Sequence, residues 1–189
     1  MNQTLKSIIN SYHSGKLSTP NIQVFNKKLF DETIKFPNKL FANLTFNSST
    51  FKNVNLINME FINVNFESSY FENCIFENTI FKNTILQAAE LDNCVFKDCW
   101  FINCNLSEVD ATETIFNECR FLKSGFGNAV FELCHFLKPT FKGVEGGPLG
   151  SAVLIDSKFS DSNKSIKFEG EVYFNDILNQ IDKFNIDEE

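Results

Sequence analysis

Six cysteines and two histidines are the most reactive side chains of this 189-residue chain, and their spacing argues against metal binding. Cys74, Cys94, Cys99, Cys104, Cys119 and Cys134 are separated by multiples of five, so there is no CxxC pair. With only His13 and His135 beside them, zinc-ligand spacing is absent. The glycine-rich stretch GVEGGPLG at 143–150 invites comparison with a phosphate-cradling loop. Such a loop needs Lys and then Ser or Thr after its last glycine, whereas Gly150 is followed by Ser151 and Ala152, so that reading fails.

The multiples of five belong to the pattern that organises the chain. From Phe41 to Phe141 a large apolar residue returns at every fifth position, with Ala111 the one small exception, and 16 of the 23 phenylalanines lie on this register. In a helix, at about 100° per residue, such a series would scatter around the surface, and in a flat strand an odd spacing would alternate faces. Each five-residue unit must therefore contain its own corner, which marks a solenoid whose core is supplied by stacking. All six cysteines sit two places before a central residue, in a column shared with Val54, Val64, Ser69, Thr79, Thr84, Ala89, Val109, Thr114, Ser124 and Ala129. Small residues at a fixed offset from large ones are what a narrow interior requires.

Runs such as FENCIFENTIFKNTIL and CVFKDCWFINCNL resemble the pentapeptide-repeat proteins. The resemblance covers about 36–143. It implies an all-β fold, a right-handed quadrilateral parallel β-helix of about five coils and twenty residues per coil, with the central and minus-two side chains inward. The chain departs from the family pattern in one respect. Asp or Asn precedes the centre only at Asn55, Asn65, Asn105 and Asp110, while asparagine gathers two places after it, as in Asn43, Asn53, Asn58, Asn63, Asn73, Asn78, Asn83, Asn93 and Asn103. Asparagine tolerates corner conformations and stacked amides form ladders, so this column reads as structural. Under the implied fold Cys74 stacks on Cys94 and Cys99 on Cys119 at about 4.8 Å, a separation at which a bridge is sterically permitted. The small-residue column and an expected cytosolic location favour free, buried thiols instead. His135 then points outward, away from the inward cysteines, so no nucleophile and base converge and a non-enzyme without cofactor is expected.

The rest of the chain frames the repeat. Residues 1–35 read as an N-terminal cap, with Leu5, Ile8, Ile9 and Tyr12 at helical spacing behind Asn2 or Thr4 and Gly15 as a stop. Residues 144–189 read as the glycine-rich loop, a partial coil in shifted register around Leu154 and Phe159, and a helix capped by Asn175 with Ile177, Leu178, Ile181 and Phe184 on one face. That helix is a cap or, alternatively, a homodimer element of the kind some family members use. No apolar run is long enough to span a membrane, no signal core precedes a cleavage site, and a cytoplasmic protein is expected. The net charge of −7 argues against direct nucleic-acid or anionic-membrane binding and favours basic partners.

The implied four-sided fold sorts the surface. The side with centres 51, 71, 91, 111 and 131 carries Tyr70 and six acids, Glu72, Glu90, Asp92, Asp110, Glu113 and Glu132, against the single base Lys52. Solvation and a binding stripe for a basic partner both account for such a side. A second surface collects Ile62, Ile80, Trp100, Ile102 and Leu122, adjoined by Ile57, Ile75, Val95, Ile115 and Leu137, which are good strand formers and equally a candidate interface anchored by Trp100. The expected function is a non-catalytic inhibitor or binding module. Within the family's uses the small capped chain looks most like an immunity protein neutralising a basic toxin such as a nuclease. A DNA-mimicking topoisomerase-protection protein of the quinolone-resistance type and a structural scaffold are the alternatives.

Overall fold

The computed structural model describes residues 23–24, 26–31, 40–142 and 144, together with the strands Val153–Ile155, Lys158–Ser160 and Lys167–Glu169. The helices expected near residues 5–12 and from Asn175 onward lie outside these residues.

Within each unit the chain solves the five-residue period by alternating and then turning. The minus-two and central residues are buried, the residues on either side of the centre point outward, and the residue two places after the centre is left-handed. From Asn43 to Lys138 every fifth residue has φ between 47° and 59°. All ten asparagines of the plus-two column, Asn128 included, fall here, at φ 51–59°, because Asn enters the left-handed region with less penalty than other non-glycine residues. From Asn43 to Lys123 each corner also keeps its N–H satisfied by the next coil, as where Asn43 N–H donates to Ile62 O at 3.0 Å and Asn83 N–H to Ile102 O at 2.9 Å.

Four such corners close one coil, and partners in neighbouring coils are twenty residues apart throughout the middle of the rod, as in Phe81↔Phe101 and Phe96↔Phe116. Three sides are parallel sheets of three-residue strands. The first runs through Thr50–Lys52, Tyr70–Glu72, Glu90–Asp92, Asp110–Thr112 and Val130–Glu132. The second runs through Asn55–Ile57, Ile75–Glu77, Val95–Lys97, Ile115–Asn117 and His135–Leu137. The third runs through Leu40–Ala42, Glu60–Ile62, Ile80–Lys82, Trp100–Ile102, Arg120–Leu122 and Thr140–Lys142. The fourth side is held by single bridges at Thr45, Asn65, Ile85, Asn105 and Gly125. It ends in hydrogen-bonded turns such as Ser69 N–H to Phe66 O at 3.0 Å, whose third residue, Ser68, has φ 55°. A turn closed so tightly leaves no room for a three-residue strand.

The core is a set of aromatic columns. Phe61, Phe81, Phe101 and Phe121 are buried and stack with centroids 5.2, 4.8 and 4.8 Å apart, the single buried stack that the register demands. Around each coil neighbouring columns meet edge-on, as Phe66 does with Phe71 at 5.4 Å. Ala111 supplies only a methyl to its column. Phe116 instead meets Phe131 of the following coil edge-on at 5.9 Å.

The minus-two column does more than save space. Its thiols and hydroxyls donate to the carbonyl of a central residue one coil back: Thr79 Oγ1 to Leu56 O at 2.7 Å, Cys94 Sγ to Phe71 O at 3.5 Å and Thr114 Oγ1 to Leu91 O at 2.7 Å.

Stacking also extends beyond the 36–143 expected for the repeat. Leu29–Phe30 pairs with the first side and Gln23–Val24 with Leu44–Thr45, so the expected 1–35 cap contributes strands to the rod. Beyond Lys142, Phe131 pairs with Leu154 and Phe136 with Phe159, both 23 residues on, which is the shifted partial coil read from sequence. Phe141 pairs with Phe168, 27 residues on. Strand pairing thus continues across longer connections, and the expected 144–189 cap likewise contributes three strands.

Candidate interaction surfaces

The residues with reactive chemistry are interior. All six cysteines are free and buried. Burial pushes the Cys104 and Cys134 thiols up to about 12 and raises Cys119 well above its ordinary value. In the stacked pair, hydrogen bonding with Cys74 and then burial raise Cys94, while hydrogen bonding with Cys94 draws Cys74 down. His135 is half-buried on the second side, in register with Ile115. Among the described residues no group of three or more His, Cys, Asp or Glu side chains is placed to hold a metal ion.

The first side is acidic, and the strand register explains how its charges are packed. Glu90 lies between Tyr70 and Asp110 in neighbouring strands, and Asp92 lies between Glu72 and Thr112. In-register partners of like charge sit about 5 Å apart and repel. Two devices soften this at one end. Lys52 Nζ reaches Glu72 at 2.8 Å, and the Tyr70 hydroxyl donates to Asp92 Oδ2 at 2.9 Å. Burial, the hydrogen bond to Asp92 and the charges of Asp92, Glu72 and Glu90 push Tyr70 up to about 12, so it stays a donor at neutral pH. Glu90 and Asp110 are exposed and, among the described residues, in no ion pair.

The expected acidic set is therefore divided. Tyr70, Glu72, Glu90, Asp92 and Asp110 form one patch, and Glu132 follows beyond Thr112. Glu113 sits at the corner toward the second side, exposed and left-handed at φ 51°, and is not on the flat of the sheet.

Trp100 and Ile102 lie across the rod on the third side. Trp100 is 37% exposed, and the Arg120 guanidinium rests over its ring at 4.7 Å from the centroid. The broad apolar surface expected from sequence is not continuous. On the second side Ile75, Val95 and Ile115 form one ladder, and on the third Ile80 precedes Trp100 while Ile102 precedes Leu122. Charged pairs run between the two strips, Lys97–Glu77 at 2.7 Å and Lys138–Glu118 at 3.2 Å.

Sequence reasoning anticipated amide ladders, but neither their confinement to one corner nor the basic residues beside Trp100. The amides of Asn43, Asn63, Asn83 and Asn103 form a ladder along the corner between the third and fourth sides, with bonds of 3.1, 3.0 and 2.8 Å, at one corner and not at all of them. The cations Lys82 and Arg120 share the third side with Trp100. The five-residue register would have located both, since they flank the centres Phe81 and Phe121.

A closed parallel solenoid with four five-residue sides per coil is the class this geometry defines. The family model for pentapeptide repeats matches in 8 copies over residues 49–87, 60–98 and 89–124. The repeat region of this chain is accordingly of the pentapeptide-repeat family. Members of that family are in general structural or binding proteins. No curated protein matches the chain in sequence. Among solved structures it is similar to HetL, a pentapeptide repeat protein involved in heterocyst differentiation regulation from the cyanobacterium Nostoc sp. strain PCC 7120, at 9% identity and TM-score 0.41, covering 78% of this chain and 70% of that one. It is also similar to a trypsin-treated variant of QnrB1, a plasmid-mediated fluoroquinolone resistance protein, at 15% identity and TM-score 0.29 over 75% and 92% of the two chains. Rfr23 from the cyanobacterium Cyanothece 51142 follows at 12% identity and TM-score 0.27, over 87% and 99%. Likenesses of this size transfer no function.

Proposed function

We propose that this protein is a non-catalytic binding module whose acidic side engages a basic protein surface, as an immunity protein does in neutralising a basic toxin such as a nuclease. The observation that supports this reading is the in-register stacking of Glu72 with Asp92 and of Glu90 with Asp110 on a flat sheet in whose described strands Lys52 is the one cation. Like charges directly opposite each other destabilise a sheet by roughly 0.2–1 kcal/mol per pair, a cost that a cationic partner would turn into attraction. A rigid rod suits the task, because docking orders few additional groups.

The test is kinetic. Against a basic nuclease captured by the protein, association should slow as salt rises, and Glu90→Lys, Asp92→Lys and Asp110→Lys together should weaken binding mainly through the association rate, with little change in stability. Unchanged association for the triple variant would refute the role of this side.

A further inference from the structure

We propose that the side carrying Trp100 is a second docking surface, for an acidic polypeptide that sets apolar side chains within a rim of carboxylates. This side is opposite in sign to the acidic one. From Leu40–Ala42 to Thr140–Lys142 its strands carry the exposed Lys82 and Lys142 and the half-buried Arg120 against the one acid Glu60, with Lys123 on the edge toward the fourth side and Asp98 and the Lys138–Glu118 pair on the edge toward the second. Among the described residues Lys82, Arg120 and Lys123 enter no ion pair, whereas the pairs formed by Lys52, Lys97 and Lys138 lie on the first side, on the second side and at the corner between the second and third. Uncommitted cations around an apolar centre are complementary to carboxylates around an apolar anchor.

The centre is Trp100, flanked by Ile80 in the preceding coil and by Ile102 on its own strand, with Leu122 one coil further. The Arg120 guanidinium sits over its ring, and a guanidinium so placed still has N–H donors to offer a carboxylate. An exposed aromatic held in place beside an arginine is the composition that dominates binding energy at protein interfaces.

The same residues disfavour other occupants. A twofold contact of this side with itself would bring Lys82, Arg120 and Lys123 against their own copies. Docking it on the acidic side of a second copy would be head-to-tail and would propagate without closing. A nucleic acid would meet few cations on a chain of net charge −7. Area sets one further requirement. Five coils make a side about 24 Å long and three extended residues make it about 10 Å wide, far below the roughly 800 Å² per partner of a stable interface. The partner must therefore also reach across the Lys97–Glu77 and Lys138–Glu118 pairs to the Ile75, Val95 and Ile115 ladder of the second side. Because the acidic side lies across the rod, both surfaces can be occupied together, and the protein then joins a basic partner to an acidic one.

Trp100 is the only tryptophan in the chain, so its emission reads this site directly. The probe is a peptide with two leucines among glutamates, compared with an all-glutamate peptide, a peptide with arginine in place of glutamate, and oligothymidylate. A saturable emission change with the Glu/Leu peptide is expected. The affinity should fall by about tenfold or more in the Lys82→Glu, Arg120→Glu, Lys123→Glu variant, less in Arg120→Gln, and not at all when Glu90, Asp92 and Asp110 are reversed. Circular dichroism of each variant separates lost binding from lost fold. Equal response to the arginine peptide, tighter binding of oligothymidylate, an affinity unmoved by reversal of Lys82, Arg120 and Lys123, or a dimer in sedimentation that Trp100→Ala dissolves would each overturn the proposal. None of those results bears on the acidic side, whose test is separate.

Discussion

Replacing asparagine by alanine at two left-handed corners should give unequal losses of stability, because one corner carries a ladder and the other does not. Asn83 and Asn93 both have φ 51° and both are exposed. Alanine at such a corner forfeits the tolerance of Asn for the left-handed region, worth about 1 kcal/mol. At Asn83 the amide also accepts from Asn103 at 2.8 Å and donates to Asn63 at 3.0 Å. Two exposed amide bonds add about 0.5 kcal/mol each, so Asn83→Ala should cost about 2 kcal/mol and Asn93→Ala about 1 kcal/mol. A third variant reverses the argument. Ala88 already sits at φ 53°, and glycine there should relieve about 1–2 kcal/mol of backbone strain while losing about 0.5–1 kcal/mol to chain entropy, for a net gain of about 0.5–1 kcal/mol. Urea unfolding of the three variants beside the parent, compared at the midpoint with the slope held common, measures all of these. Equal losses at Asn83 and Asn93 would remove the ladder from the account. A lowered midpoint for Ala88→Gly would refute the left-handed strain itself.

The core and the thiols give further expectations. Phe101 is 1% exposed and stacked on both Phe81 and Phe121, so Phe101→Ala should cost about 3–5 kcal/mol in the same assay, and a near-neutral midpoint would contradict the aromatic columns. A thiol reagent should modify no cysteine without denaturant, and rapid labelling of any two would show the column to be accessible. Because Cys104 and Cys134 are raised from about 9 to about 12, the native state holds protons that the unfolded chain gives up. Stability should therefore be fully present below pH 9 and decline as pH rises from about 9 toward 12, and Cys104→Ser should flatten part of that decline.

Much of the architecture was legible in the residues. The five-residue return of Phe and Leu required a corner in every unit, and the small residues two places before each centre marked the second inward column. Asparagine two places after each centre marked the corner, since left-handed backbone selects side chains strongly. The conversion of this register into four named sides rested on resemblance to a family and not on spacing. Spacing counts residues along the chain, while the number of units per coil depends on the angle each corner turns.

For the candidate surfaces the sequence by itself determined which residues face outward, because alternation about a buried centre is a local property of extended backbone. It did not determine their company. That Glu90 stacks on Asp110, that Arg120 lies over Trp100, and that Lys97–Glu77 and Lys138–Glu118 divide the apolar strips all follow from the pairing of strands twenty residues apart. The same holds at the rod's C-terminal end, where the strand of Phe141 pairs with that of Phe168 across 27 residues instead of twenty. Only tertiary structure decides such partners, since inter-coil hydrogen bonds and aromatic stacking fix which coil follows which, and no local preference along the chain encodes that distance.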